Sequence, residues 1–326
     1  MMNTLSEKKR GINLKSIDFL SILIAYAVVI GVFAFASPVF FSVRNFLNIG
    51  QYAAIIGVVA ASNTLIIVSG NIDISLGSIV ALTGVFVAKF APTDPNDIAG
   101  LLFAIAIGLL VGAVCGAING LLITKVKINS FIATMATMNI FRGLAYIVTN
   151  GQSMPITNPV MGVIGRDRLL GIPNSLIIMI IAFVIFWFVA KYSVFGRRMY
   201  IIGGNGTAAY LSGIKVQRSV LFIFIINGLM TGLAGVMTAS QLGAALPQGS
   251  NGLEFQIISA IILGGTSLSG GKGALIGSIF GVMLLATLNN GMVMLNIPSF
   301  WQLVVIGVVL ILAVSIDVLK NRKDNT

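Results

Sequence analysis

Apolar runs of about one bilayer thickness alternate with short polar turns along nearly the whole chain. Ten stand out, at residues 18–37, 46–69, 76–91, 98–124, 130–149, 175–191, 220–242, 253–268, 274–295 and 300–319. A membrane-crossing helix needs about 20 apolar residues. The pattern predicts an all-α membrane protein with about ten transmembrane helices. Spans three and eight are short, which leaves open eight full spans with two re-entrant segments. The predicted organisation is a cytoplasmic N-terminal segment 1–17, one transmembrane domain 18–319 and a cytoplasmic tail 320–326.

Two glycine stripes suggest internal symmetry. Span four carries Gly108, Gly112, Gly116 and Gly120 at four-residue spacing, and span nine carries Gly273, Gly277 and Gly281. Small residues so spaced leave a groove where another backbone can approach. Asn119-Gly120 then Ile128-Asn129-Ser130-Phe131 follows the first stripe. Asn290-Gly291 then Ile297-Pro298-Ser299-Phe300 follows the second. The stripes lie five spans apart and cross in opposite directions, which predicts an inverted repeat of spans one to five on six to ten. Glycine-rich membrane helices also show such spacing by chance.

Composition narrows the class. The 326 residues are 57% hydrophobic and 9% charged, with mean hydropathy +1.02. A soluble domain carries about 25% charged residues, and little length remains here for one. The net charge of +11 comes from clusters at Lys8–Lys9–Arg10–Lys15, Lys125 and Lys127, Lys191 to Arg218, Lys272, and Lys320–Arg322–Lys323. Clusters beside apolar runs mark the cytoplasmic side, so the charge is no nucleic-acid surface. With both ends inside, the turn 92–97 and the loop 150–174 fall outside. Arg166 and Arg168 break the rule there, with Asp167 between them. The basic start and Ala34-Phe35-Ala36 resemble a cleavable leader. The run is long enough to span and Pro38 follows closely, so an uncleaved first span is preferred.

Candidate chemistry is sparse. The single cysteine, Cys115, excludes a disulfide framework. Histidine is absent, which removes the commonest metal ligand, and no metal site is expected. The densest polar cluster at membrane depth is Gly70-Asn71-Ile72-Asp73-Ile74-Ser75-Leu76-Gly77-Ser78. A carboxylate at the bilayer centre costs roughly 2.5–3.5 kcal/mol. Asp73 therefore faces a cavity, caps a helix or lies near the surface. Asp73 and Ser75 can cap span three, with Gly70 and Gly77 permitting a broken helix. A discontinuous helix beside a transport path is the compatible functional reading, with Asn71, Asp73, Ser75, Gly77, Ser78 and Asn227 as path candidates. Other polar residues within spans are Asn63, Thr64, Asn139, Arg142, Thr231, Gln241 and Asn289. They suit a neutral hydroxyl-rich solute, or interhelical hydrogen bonds. Arg142 is expected to pair with Asp73 or Glu254, or to snorkel. Glu254 is placed at an interface. Gly264 to Gly273 looks like a phosphate loop but has Thr266 and Gly273 where the motif needs Gly and Ser/Thr. It reads as a glycine-built cytoplasmic turn.

The stretch from Lys191 to Ser219 carries five basic residues and no acid. Within it Thr207 to Leu211 predicts a small helix, opened by Asn205 and closed by Gly213. A compact cytoplasmic helix on a protein without a soluble domain implies a docking partner.

Three segments, GNIDISLGS (70–78), GGNGTAAYLSGI (203–214) and ILGGTSLSGGKGALIG (262–277), resemble the permeases of ribose-type ABC importers. The resemblance runs from about residue 38 to 319. It implies a type II-like importer permease fold with a 5+5 inverted repeat, in a bacterial inner membrane. The implied partners are a second permease copy, best as a homodimer, cytoplasmic ABC ATPase subunits or domains, and an extracytoplasmic sugar-binding protein. ATP and magnesium belong to the ATPase, and this chain needs no cofactor and catalyses nothing. The cargo that the resemblance implies is a monosaccharide, a ribose-like pentose first, or a related small solute. The ATPase-coupling residues carry over onto Gly203, Gly204, Asn205, Ala208, Ala209, Ser212 and Gly213. Many relatives have a polar residue where this chain has Gly206, which weakens a salt bridge there. The competing class is an ion-coupled transporter, which inverted repeats also serve. It usually places ionisable groups in the membrane, where Asp73 alone is a strong candidate. An intramembrane enzyme lacks paired acids, a His–nucleophile set or metal ligands.

Overall fold

The computed structural model describes residues 14–324. Helices α1 (Leu14–Ala36), α2 (Val43–Val68), α3 (Leu76–Phe90), α4 (Ile98–Thr124) and α5 (Ser130–Thr149) form the first half. An irregular segment follows, with strands β1 (Met154–Pro155), β2 (Arg168–Leu169) and β3 (Ile172–Pro173) and the one-turn α6 (Gly162–Gly165). Then come α7 (Asn174–Tyr192), α8 (Val194–Gly204), α9 (Gly206–Leu211), α10 (Val216–Leu242), β4 (Ala244–Ala245), α11 (Leu253–Leu263), α12 (Leu275–Met294) and α13 (Ser299–Asp324).

The protein is an all-α, multi-pass membrane protein. Helices α2, α4, α5, α7, α10 and α12 are long and apolar enough to cross a membrane. Helices stand at all ten predicted spans, but α3 and α11 have 15 and 11 residues. At 1.5 Å per residue they reach about 22 and 16 Å, short of a hydrocarbon core of about 30 Å. Helix α13 runs to Asp324, through most of the stretch expected as a tail. The helix α1 begins inside the expected N-terminal segment, and Lys8, Lys9 and Arg10 lie outside the described residues.

Helix α2 is the axis of the bundle. In its apolar window 83% of residues are buried, against 28% for α4, α5 and α7, whose outward faces are left for lipid or a partner. The tightest packing is between α4 and α10. A Cβ at Gly112 would lie 2.7 Å from Gly232 Cα, and one at Gly228 would lie 2.8 Å from Gly116 Cα. A Cβ at Gly108 or Gly120 would press instead on side chains of α3 and α10, including Val236 and Leu221. The stripe is thus a backbone-to-backbone groove. Its partner stripe, Gly228 and Gly232, was not singled out in the sequence. In α12, Gly277 and Gly281 lie against the backbone of Gly264 and Ala260. Gly273 precedes α12 and faces Thr266 and Val68, so it belongs to a turn and not to a helix-packing stripe.

Candidate functional site

Two broken helices meet inside the bundle. The chain leaves α2 at Val68, runs unwound through residues 70–75 and starts α3 at Leu76. It leaves α10 at Leu242, runs through 243–252 and starts α11 at Leu253. The two helix starts are neighbours: a Cβ on Gly77 would lie 2.5 Å from the Glu254 Oε2 atom and would collide with the Ser250 carbonyl oxygen. Only glycine at 77 admits this approach.

The unwound segment 70–75 is held by a chain of hydrogen bonds. Asp73, 1% exposed, takes the Ser75 backbone N–H (2.9 Å) and hydroxyl (2.6 Å) on Oδ1. Its Oδ2 accepts from Asn227 Nδ2 at 3.2 Å. Asn227 Oδ1 accepts from the Ser62 hydroxyl at 2.7 Å. On the other side, Ser75 Oγ accepts from Asn119 Nδ2 at 2.8 Å, and Asn119 Oδ1 accepts from Thr137 Oγ1 at 2.6 Å. Ser130 Oγ and Thr134 Oγ1 accept the backbone N–H groups of Ile72 and Ile74 at 3.1 and 3.2 Å. One connected network thus joins α2, α10, α4 and α5 to the turn. Asn227 lies about 16 Å along α10 from its start, so Asp73 is deep in the bundle. Its donors are neutral, and three of them offset much of the cost of burying a carboxylate.

This arrangement corrects two expectations. Ser75 makes no side-chain cap on α3: its backbone is already helical and its Oγ accepts from Asn119 instead of from the first turn. Asp73 does bind the Ser75 N–H, as an Asx-type turn ahead of the helix. Arg142 hydrogen-bonds neither Asp73 nor Glu254; its Nη1 donates to the carbonyls of Pro247 and Gly249 at 2.8 and 2.6 Å. Ser78 turns back to the Ser75 carbonyl at 2.7 Å, and Asn71 is half-buried beside Ser69. Asn119, Thr137, Ser62, Ser130 and Thr134 were missed as site residues. The hydroxyls at 130, 134 and 137 share one face of α5, which is the signal that could have found them.

A second junction lies at the end of α2. Gly271 N donates to Val68 O at 2.8 Å. A Cβ at Gly203 would lie 2.6 Å from Gly271 N and would collide with Val68 O, while one at Gly270 would lie 2.9 Å from both Gly203 O and Gly70 Cα. Gly70 and Gly271 hold φ of 78° and 72°, which favour glycine. Tyr200 of α8 adds a bond from its hydroxyl to Gly273 O at 3.1 Å. Burial pushes the Tyr200 phenol above its ordinary value, so it stays a donor. The three sequence segments 70–78, 203–214 and 262–277 therefore touch at one point.

Beyond that junction, α9 projects outward. Asn205 caps it through a bond from Ala208 N at 2.9 Å. Gly213, φ 79°, closes it with its N–H on Tyr210 O at 3.0 Å. Tyr210 and Leu211 are 72% and 79% exposed, while Ala209 is buried underneath. The helix was expected from Thr207; the structure starts it at Gly206 and places a second helix, α8, before it.

Comparison with known proteins decides the class. A profile described as "Branched-chain amino acid transport system / permease component" matches residues 45–314. The chain belongs to this permease family. This permease is 42% identical over 320 residues to the ribose import permease protein RbsC of Bacillus subtilis (strain 168), covering 96% of each chain. It is 37% identical over 307 residues to RbsC of Escherichia coli (strain K12), covering 92% of this chain and 93% of that one. It is 36% identical over 309 residues to the L-arabinose transport system permease protein AraH of Escherichia coli (strain K12), covering 95% and 93%. No solved structure matches the chain significantly. As a permease component the chain is a non-catalytic subunit of an ABC transport system, which sets aside the ion-coupled and enzymatic readings. It holds no cofactor of its own. Among the described residues no group of three or more His, Cys, Asp or Glu is placed to hold a metal.

Proposed function

We propose that this permease imports ribose, or a pentose close to it, across a bacterial cytoplasmic membrane. The observation that carries the cargo is the 42% identity to a ribose import permease over nearly the whole of both chains. The family description names branched-chain amino acids instead. The relatives matched over nearly the whole chain are named for ribose and L-arabinose, and this supports the sugar. Uptake of radiolabelled ribose, arabinose and leucine in cells lacking their own sugar permeases tests this. Ribose uptake that excess arabinose reduces and leucine leaves untouched is expected. Leucine uptake without ribose uptake overturns the cargo.

The proposed assembly is two copies of this chain, an ABC ATPase carrying ATP and magnesium, and an extracytoplasmic binding protein. Gly203, Gly204, Asn205, Ala208, Ala209, Ser212 and Gly213 form the coupling segment, with exposed Tyr210 and Leu211 as its contact surface. Both chain termini are then cytoplasmic, on the side of the basic clusters. Asn71, Asp73, Ser75, Gly77, Ser78 and Asn227 line or position the path.

We also propose the 5+5 inverted repeat. Neighbouring pairs recur in both halves: α4 with α10 and α12 with α2, α3 with α4 and α11 with α12, α3 with α5 and α11 with α13. Both short helices, α3 and α11, follow an unwound segment and meet start to start. Half-helices so placed are a recurrent way of building a transport site at mid-membrane.

A further inference from the structure

The loop 243–252 is fastened at both ends and at its tip. At its start Ile156 N donates to Gly243 O at 2.8 Å, and β1 pairs with β4. At its end Glu254 Oε1 accepts the Gly252 N–H at 3.2 Å. The tip is held by Arg142, which reaches from α5 to the carbonyls of Pro247 and Gly249. The next residue, Ser250, has φ 59°, a left-handed value that a non-glycine keeps only where its surroundings hold it. The held loop lies on α3. It roofs a cleft of about 120 Å³, open on one side, whose opposite wall includes Val80, Ala81, Gly84 and Gly235.

One acid lies beside this fastening. Glu254 Oε2 is buried against the backbone of Gly77 and accepts from no side-chain donor. Arg142 and Glu254 form no direct ion pair with the loop held, but each feels the other's charge. A guanidinium carries five donors in a fork that matches a carboxylate, and Nη1 alone serves the loop.

We propose that Arg142 is the latch that holds this loop over the α3–α11 meeting point. When the loop lifts, the guanidinium passes from the two loop carbonyls to the Glu254 carboxylate. The exchange gives the charge a partner in both states, so the loop opens without leaving a bare cation among apolar helices. Arg142 and Glu254 are positioning residues in this scheme: they move the loop and need not touch the solute. The inference rests on the reading of the chain as a permease, in which a path must open and close. Its test reads the loop itself, so its failure is distinct from a failure of that reading.

The chain's single cysteine, buried Cys115, makes the test clean. Ala81, 5% exposed on the cleft wall, is replaced by cysteine (Ala81→Cys) in a Cys115→Ala background. Maleimide labelling is followed on the full chain in lipid nanodiscs, where both faces are reachable. The parent should label slowly. Arg142→Gln should label at least about tenfold faster, the shift expected when a charge-assisted bond is lost. Arg142→Lys, which keeps the charge but not the fork, should fall between. Glu254→Gln keeps an oxygen for Gly252 and loses only the charge. It should label as slowly as the parent and yet lose ribose uptake about tenfold or more in cells supplied with the ATPase and binding protein. Equal labelling of Arg142→Gln and the parent, with both proteins folded, overturns the latch. Fast labelling of Glu254→Gln overturns the exchange, because Glu254 would then be holding the closed loop.

Discussion

The backbone N–H of Gly271 donates to the carbonyl oxygen of Val68 at 2.8 Å, and Gly203 lies against both atoms. This bond ties the α11–α12 turn to the end of α2 at the place where the segment carrying α8 and α9 crosses them. A push on α9 therefore reaches the ends of α2 and α11 through backbone contacts, with no side chain to absorb it. Backbone in close contact transmits displacement because protein interiors are packed near crystal density.

Side chains at this junction should uncouple the permease. Gly203→Ala places a Cβ 2.6 Å from Gly271 N, and one of the segments has to move. Overpacking of this kind costs about 1–3 kcal/mol. Ribose uptake is expected to fall at least about tenfold, with the protein still in the membrane. Gly206→Ala meets nothing within 4 Å and should transport normally. Uptake assays on the two variants check the contrast.

Helix α9, the proposed docking helix, should tolerate little change in shape. Gly213→Pro removes the N–H that closes α9 on Tyr210 and imposes a negative φ where the chain has 79°. Loss of ATPase copurification with normal membrane insertion is the expected result. Leu211→Asp, at a side chain 79% exposed, should weaken copurification while leaving the melting temperature unchanged.

The buried network should govern stability. Asn227→Ala removes the donor to Asp73 Oδ2 and the acceptor for Ser62. Loss of a hydrogen bond to a charged group costs about 1.5–3 kcal/mol. Thermal unfolding in detergent should shift down by several degrees. Asp73→Ala should destabilise more, because it also frees both Ser75 donors.

The α4–α10 groove should reject any added bulk. Gly112→Val would drive methyl groups into Gly228 and Gly232 and is expected to cost about 3 kcal/mol. Folded yield should drop sharply. Gly143→Ala on α5 has nothing within 4 Å and serves as the tolerated control.

Helices at the ten apolar runs were legible in the sequence, though only six are long enough to cross a membrane and α8 left no apolar signature. The cap of α9 was legible too, since Asn205 and Gly213 act through their own local backbone. The α4 stripe was legible because spacing alone makes a groove. Its partner was not, because Gly228 and Gly232 are two glycines among many until the helices are set side by side. Asp73 stood out by its charge, but its partner Asn227 is 154 residues away in the chain and is fixed only by packing, as are Asn119 on Ser75 and Ser62 on Asn227. The loop contacts of Arg142 were not legible for a related reason. Charge pointed to an acid, while the backbone carbonyls of a loop from the other half of the chain leave no mark in sequence.

Ribose accumulation in proteoliposomes holding this chain, its ATPase and its binding protein tests the central claim most directly. Accumulation that requires ATP and proceeds with no ion gradient is predicted. Accumulation driven by an ion gradient without ATP, or none under either condition, would contradict it.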